Sequence, residues 1–130
     1  MSIKYLESIN STSLTLTFDT GCNPAVNVVA KLEKFDDRVK IYIPAILSAA
    51  GLAASIASTT TALPVEYRPA RTTYFICPVI DNAANAVGAI CFQTTGIINY
   101  YSSIVALAAF TPGAGDVGTP SDQYYEYSTV

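Results

Sequence analysis

Apolar and polar side chains alternate through the first third of the chain. Leu14, Leu16 and Phe18 are interleaved with Ser13, Thr15 and Thr17, and Val39, Ile41 and Ile43 with Lys40 and Tyr42. A period of two buries one face of an extended chain, so both segments predict half-buried strands. Val26 to Phe35 reads as a further strand between them, with Asp36-Asp37 placed where a tight turn would lead onward. Ala45 to Ala62 is ambiguous, because Ala and Leu favour a helix while Gly51 and the run Thr59 to Thr61 oppose one. We read it as a loop or one helical turn, then a strand near Ser55 to Ala62. Leu63-Pro64 and Arg68-Pro69 bracket an extended connector, since a residue before proline is pushed out of the helical region.

From Tyr74 the pattern predicts a three-stranded antiparallel meander: Tyr74 to Ile80, a polar turn Asp81 to Asn85, a return over Ala86 to Gln93, a turn Thr94 to Gly96, and Ile97 to Ser102. Centring the first turn on Ala84 makes Cys77 and Cys91 cross-strand neighbours on one face and pairs Val79 with Ala89. Pro78 cannot donate to a ladder, which puts its strand at an edge or a bulge there. Ile104 to Phe110, a Gly/Pro-rich loop over Thr111 to Pro120, and Tyr124 to Val130 leave room for one or two more strands. Short strands, short loops and no convincing amphipathic helix predict an all-β, antiparallel, jelly-roll-like sandwich of about seven to nine strands. No repeat or break in composition divides residues 1–130, which read as one domain.

Composition narrows the function. The chain has 130 residues, 51% hydrophobic and 13% charged, with no histidine. Without histidine the usual general base, His-containing triads and His-ligated metals are excluded, so an enzyme is not expected. All seven basic residues lie at or before Arg71, while Asp81, Asp116, Asp122 and Glu126 follow it, and the net charge is −3. Lys31, Lys34, Arg38 and Lys40 around one turn are too few to displace counterions from phosphate, and no nucleic-acid partner is expected. Ile46 to Ala57 is too short for a bilayer span, and Met1 to Asn10 has no apolar core of a secretion signal, so neither membrane insertion nor an export address is read. Cys22, Cys77 and Cys91 form no CxxC pair, and are read as buried apolar thiols.

Several segments together carry a resemblance. Leu63-Pro64-Val65-Glu66-Tyr67-Arg68-Pro69, then Tyr74-Phe75 opening a strand, Asp81-Asn82, Ala86-Val87-Gly88, Thr94-Thr95-Gly96-Ile97-Ile98, Tyr100-Tyr101-Ser102, and Phe110-Thr111 before a glycine-rich turn follow one another in order. That succession, over Leu63 to Gly118, resembles the distal domains of phage tail fibres and related trimeric adhesins. The resemblance implies a homotrimer at the C-terminal tip of a fibre, at a cell or virion surface, binding a receptor that is often a cell-surface glycan. It implies no catalytic residues and no cofactor. A collagen-like or heptad stalk does not precede residue 11, so a stalk would lie outside this sequence. The alternative is a trimerising or capping module with no receptor of its own.

Candidate ligand groups follow from sugar chemistry. In a parallel trimer on a stalk the loops at the far end are free to vary. Asn82 and Asn85 in the Asp81 to Asn85 turn offer the donors and acceptors that sugar hydroxyls need, with Tyr100 or Tyr101 as a stacking surface. Adjacent tyrosines in a strand point to opposite faces, so one of each pair, including those in Tyr124, Tyr125 and Tyr127, points inward. Asp116, Asp122 and Glu126 lack calcium-loop spacing and read as solvated carboxylates, so no metal is expected. Arg68 and Arg71 read as surface ion-pair partners of Glu66 or Asp81, and Gly115 to Gly118 lacks the strand and helix of a phosphate cradle.

Overall fold

Two antiparallel sheets face each other across one apolar core, in a computed structural model that describes residues 10–130. The strands are β1 (Asn10–Phe18), β2 (Cys22–Asn23), β3 (Val26–Phe35), β4 (Arg38–Ile43), β5 (Leu47–Ser48), β6 (Ala50–Gly51), β7 (Ile56–Ala57), β8 (Thr73–Asp81), β9 (Ala84–Phe92), β10 (Ile98–Tyr101), β11 (Val117–Gly118) and β12 (Gln123–Ser128). One sheet has the order β1-β3-β4-β12 and the other β5-β11-β8-β9-β10-β7, while β2 and β6 pair separately. The fold is therefore an all-β antiparallel sandwich. Among the described residues seven strands have four or more residues, and the total reaches twelve because five two-residue strands fasten the connecting segments.

The alternation read from sequence sets the faces of the four-stranded sheet. Leu16, Phe18, Ala30, Leu32, Val39, Ile41 and Ile43 are buried, while Lys31, Glu33 and Lys40 between them are exposed. Aromatic rings from both sheets close the interior. Phe75 and Phe92 of the six-stranded sheet meet Tyr125 of β12 at centroid distances of 5.0 and 5.6 Å, and Phe18 of β1 meets Tyr100 of β10 at 5.5 Å. Such tilted contacts add roughly 0.5–1.5 kcal/mol each beyond the area they bury.

The meander β8-β9-β10 is present, but its first register differs from the expected one. Cys77 pairs with Gly88, Tyr74 with Cys91 and Val79 with Ala86, because Asp81 pairs with Ala84 and only Asn82 and Ala83 form the turn. Both turn residues have positive φ, 52° and 63°, the mirror-image conformation that matches strand twist. Alanine seldom adopts that conformation, which is why the sequence points to a longer turn centred on Ala84. Three residues of slip move Cys91 to the outer face, opposite Cys77 on the inner one, and all three cysteines are free and buried. At Pro78 the side of β8 away from β9 carries no ladder, since β11 reaches β8 only at Ile80.

Three further readings change. Ala45 to Ala62 holds the short strands β5, β6 and β7 with no helical turn, and its strand is confined to Ile56–Ala57. The proline-bracketed connector contains one 3-10 turn at Val65–Tyr67. Ile104 to Phe110 forms no strand. It folds back through a bridge between Ser103 and Ala108 instead.

Candidate functional site

Outward-facing positions of the four-stranded sheet line up in rows, because antiparallel partners share a face. Ser13, Lys31, Tyr42 and Tyr124 form one row across β1, β3, β4 and β12. Ser11, Glu33, Lys40 and Glu126 form the next. Between the rows runs an open groove of about 620 Å³, bounded by Lys31, Glu33, Lys40, Tyr42, Tyr124 and Glu126. A second depression of about 490 Å³ carries it past Lys31 and Glu33 to Ser11 and Ser13.

Two tyrosines form its aromatic wall. The Tyr42 and Tyr124 rings lie 5.0 Å apart at 45°, and Tyr124 is 76% exposed. Tyr42 is fixed from behind, since its hydroxyl donates to Asp122 at 3.0 Å and Asp122 also accepts the N–H of Ala45 at 3.1 Å. The hydrogen bond to that carboxylate pushes the Tyr42 hydroxyl above its ordinary range, so it remains a donor. The Lys31 ammonium sits 5.9 Å from the Tyr42 ring centre, and that of Lys40 5.5 Å from the ring of Phe35.

Charge on this face is mixed and open to a ligand. Arg38 donates to Glu126 at 2.9 Å with both side chains about two-fifths exposed, an ion pair that adds little to stability. Lys31, Glu33 and Lys40 on the same face are exposed. Outward residues of β1 are all hydroxyl-bearing, namely Ser11, Ser13, Thr15 and Thr17, and Thr17 donates to Asn27 at 2.7 Å. The face can therefore offer a ring to stack on, several donors and several acceptors without burying an unpaired charge.

The residues singled out from sequence do not converge. Asn82 and Asn85 are exposed at the β8–β9 turn. One side of that turn is covered by the 111–118 loop: the N–H of Ala83 donates to the Asp116 carbonyl at 2.9 Å, and a Cβ on Gly115 would lie 2.8 Å from the Asn82 Cα. Tyr100 is 1% exposed and its hydroxyl donates to Gln123 at 3.3 Å, so its ring cannot stack on a sugar. Burial raises that hydroxyl well above its ordinary range. Tyr101 is half-buried opposite Ala89, four residues along β9 from Asn85, which is ~14 Å at the rise of a strand.

Sequence reasoning misses Tyr42 and Tyr124 as a site because 82 positions separate them. The available signal is the alternation itself, which turns Lys40 and Tyr42 outward together. In β12 it likewise turns Tyr124 and Glu126 outward while Tyr125 and Tyr127 face the core.

No protein-family model matches the chain, and no curated protein matches it. Among solved structures it is similar to the attachment protein sigma1 of a reovirus, crystallised in complex with alpha-2,3-sialyllactose, at 14% sequence identity and a TM-score of 0.48 over 100% of this chain and 70% of that one.

Proposed function

We propose that this chain is the receptor-binding domain of a trimeric fibre and that it engages a cell-surface glycan through the outer face of β1-β3-β4-β12. The observation that carries the reading is the Tyr42–Tyr124 pair standing in an open groove among Lys31, Glu33, Lys40 and Glu126. A pyranose has an apolar face that stacks on an aromatic ring and a rim of hydroxyls that needs both donors and acceptors. Tyr124 supplies the ring, the lysines and serines donate, and Glu33 accepts. The resemblance of Leu63 to Gly118 to tail-fibre tips supports the same class, as well as a place at a cell or virion surface. Binding without catalysis is part of the proposal, and it requires no metal or cofactor.

Each groove is open and shallow, so a single site binds weakly and three copies on one tip raise avidity toward a multivalent receptor. This proposal puts the ligand on the sheet face, and the exposed Asn82–Asn85 turn is the alternative site that the binding experiments compare with it. A glycan array with the wild-type chain and Tyr124→Ala tests it: wild-type signal on defined glycans, lost in the variant, supports the reading. Equal signal from both removes the groove as the site.

A further inference from the structure

The outer face of the six-stranded sheet has the opposite character to the groove face. Its outward rows run Tyr74, Cys91, Asn99 and Ala57, then Ile76, Ala89 and Tyr101, then Pro78 and Val87, then Leu47, Gly118, Ile80 and Asn85. Cys91, Asn99, Ala57, Ala89 and Gly118 are buried within the chain, and Tyr74, Ile76, Pro78, Val87, Leu47 and Asn85 are exposed. No charged side chain occurs in these rows. Among the described residues eleven large apolar side chains are exposed, and six of them, Leu47, Tyr74, Ile76, Val87, Val105 and Leu107, lie on this face or on the loop beside it. A depression of about 300 Å³ opens between Tyr74, Ile76 and Ala89 on the sheet and Ile104, Val105 and Leu107 on the loop.

That loop holds its apolar side chains outward against local preference. Leu107 has φ of 48°, a left-handed conformation that is sterically unfavourable for a residue with a Cβ. Its neighbour Val105 is 92% exposed. The Ser102 N–H donates to Ala108 at 2.9 Å, and the Ser102 hydroxyl donates to the Ala109 carbonyl at 2.8 Å, fastening the loop's base. Exposed turns ordinarily use glycine, asparagine or aspartate for such conformations. A contiguous apolar patch of this kind marks an interaction surface.

We infer that the outer face of β8-β9-β10, with the 102–109 loop, is where copies of this chain meet. The occupant is a second copy because of charge. A chain of net charge −3 repels itself wherever carboxylates must approach, and burying the charged groove face would desolvate Lys31, Glu33, Lys40 and Glu126. The six-stranded face alone of the two lets copies pack with no ion taken out of water, and such packing leaves the groove on the outside of the assembly. The inference rests on the trimeric reading above and assigns its surface.

Light scattering on the wild-type chain, Val105→Lys, the double variant Ile76→Lys/Val105→Lys, and Tyr124→Ala tests it, with circular dichroism and thermal unfolding as checks of fold. Wild type and Tyr124→Ala are expected at the mass of a trimer, and the double variant at 13.8 kDa. Val105 is 92% exposed, so Val105→Lys cannot disturb the core. It is expected to dissociate at protein concentrations where wild type does not, and it decides the matter if the double variant does not fold. A wild-type trimer unaffected by Val105→Lys and by a folded double variant overturns the surface and leaves the trimeric reading standing. A wild-type mass of 13.8 kDa at micromolar concentration overturns both.

Discussion

Asp81 grips Thr111 twice, its carboxylate accepting both the backbone N–H and the hydroxyl at 2.8 Å. Asp81 ends β8 and Thr111 opens the long loop that returns to β11, so the pair fastens a glycine-rich segment to a rigid strand. Removing it leaves that loop's packing on the Asn82-Ala83 turn without its anchor. Asp81→Ala is expected to lower stability by about 1–2 kcal/mol, read as a lower urea midpoint with an unchanged slope.

Asp19 holds Thr59 in the same way, accepting its N–H at 2.9 Å and its hydroxyl at 2.7 Å. Partial burial works to raise the Asp19 carboxyl, but the hydrogen bonds from Thr59, together with those from the backbone at Asp19 and Thr60, outweigh it and leave the group below its ordinary 3.8. A carboxyl depressed in the folded state stabilises above its unfolded value, and that contribution is lost as pH falls through the folded one. The stability gap between wild type and Asp19→Asn is therefore expected at neutral pH and should shrink as urea midpoints are followed below about pH 4. A gap independent of pH would contradict this.

Ala83 occupies a turn position with φ of 63°, where glycine carries no steric cost. Ala83→Gly is expected to stabilise the protein by about 1 kcal/mol, measured as a higher unfolding temperature. An unchanged or lowered temperature would mean that the turn relaxes in solution.

That same residue explains how much of the fold is legible in the sequence. Alternation places β1, β3, β4, β8 and β12, since each buries one face and the period is visible locally, whereas β9 is buried on both faces from Gly88 to Phe92 and reads as a continuous apolar run. Asp36-Asp37 is legible as a tight turn because aspartate is an ordinary turn residue; Phe35 pairs with Arg38 across it. Asn82-Ala83 is not, because alanine hides a positive φ, and a turn misplaced onto Ala84 carries Cys77 and Cys91 onto one face. Two-residue pairings such as Val117 with Ser48 depend on contacts between distant segments and leave no periodic trace. The groove is illegible for the same reason: Lys31, Tyr42 and Tyr124 meet only through the strand order β3-β4-β12.

Cys77 and Cys91 should form no bond with each other, as they lie on opposite faces of one hairpin. Burial pushes the Cys77 thiol up to about 11 and raises Cys22 and Cys91 as well, so little thiolate exists at neutral pH. Thiol reagents are expected to leave all three unmodified in the native protein and to label them on unfolding. Mass spectrometry after mild oxidation should find no disulfide within the chain. Fast labelling of Cys77 without unfolding would contradict its burial.

The groove on the four-stranded sheet is tested most directly by comparing glycan binding of the wild-type chain, Tyr124→Ala, and Asn82→Ala/Asn85→Ala under one set of conditions. Tyr124 is 76% exposed, so its loss should spare stability. We predict a fall in affinity of at least about tenfold, equivalent to ~1.4 kcal/mol, for Tyr124→Ala, and wild-type binding for the asparagine double variant. Full binding by Tyr124→Ala together with loss in Asn82→Ala/Asn85→Ala would place the site at the β8–β9 turn and contradict the account.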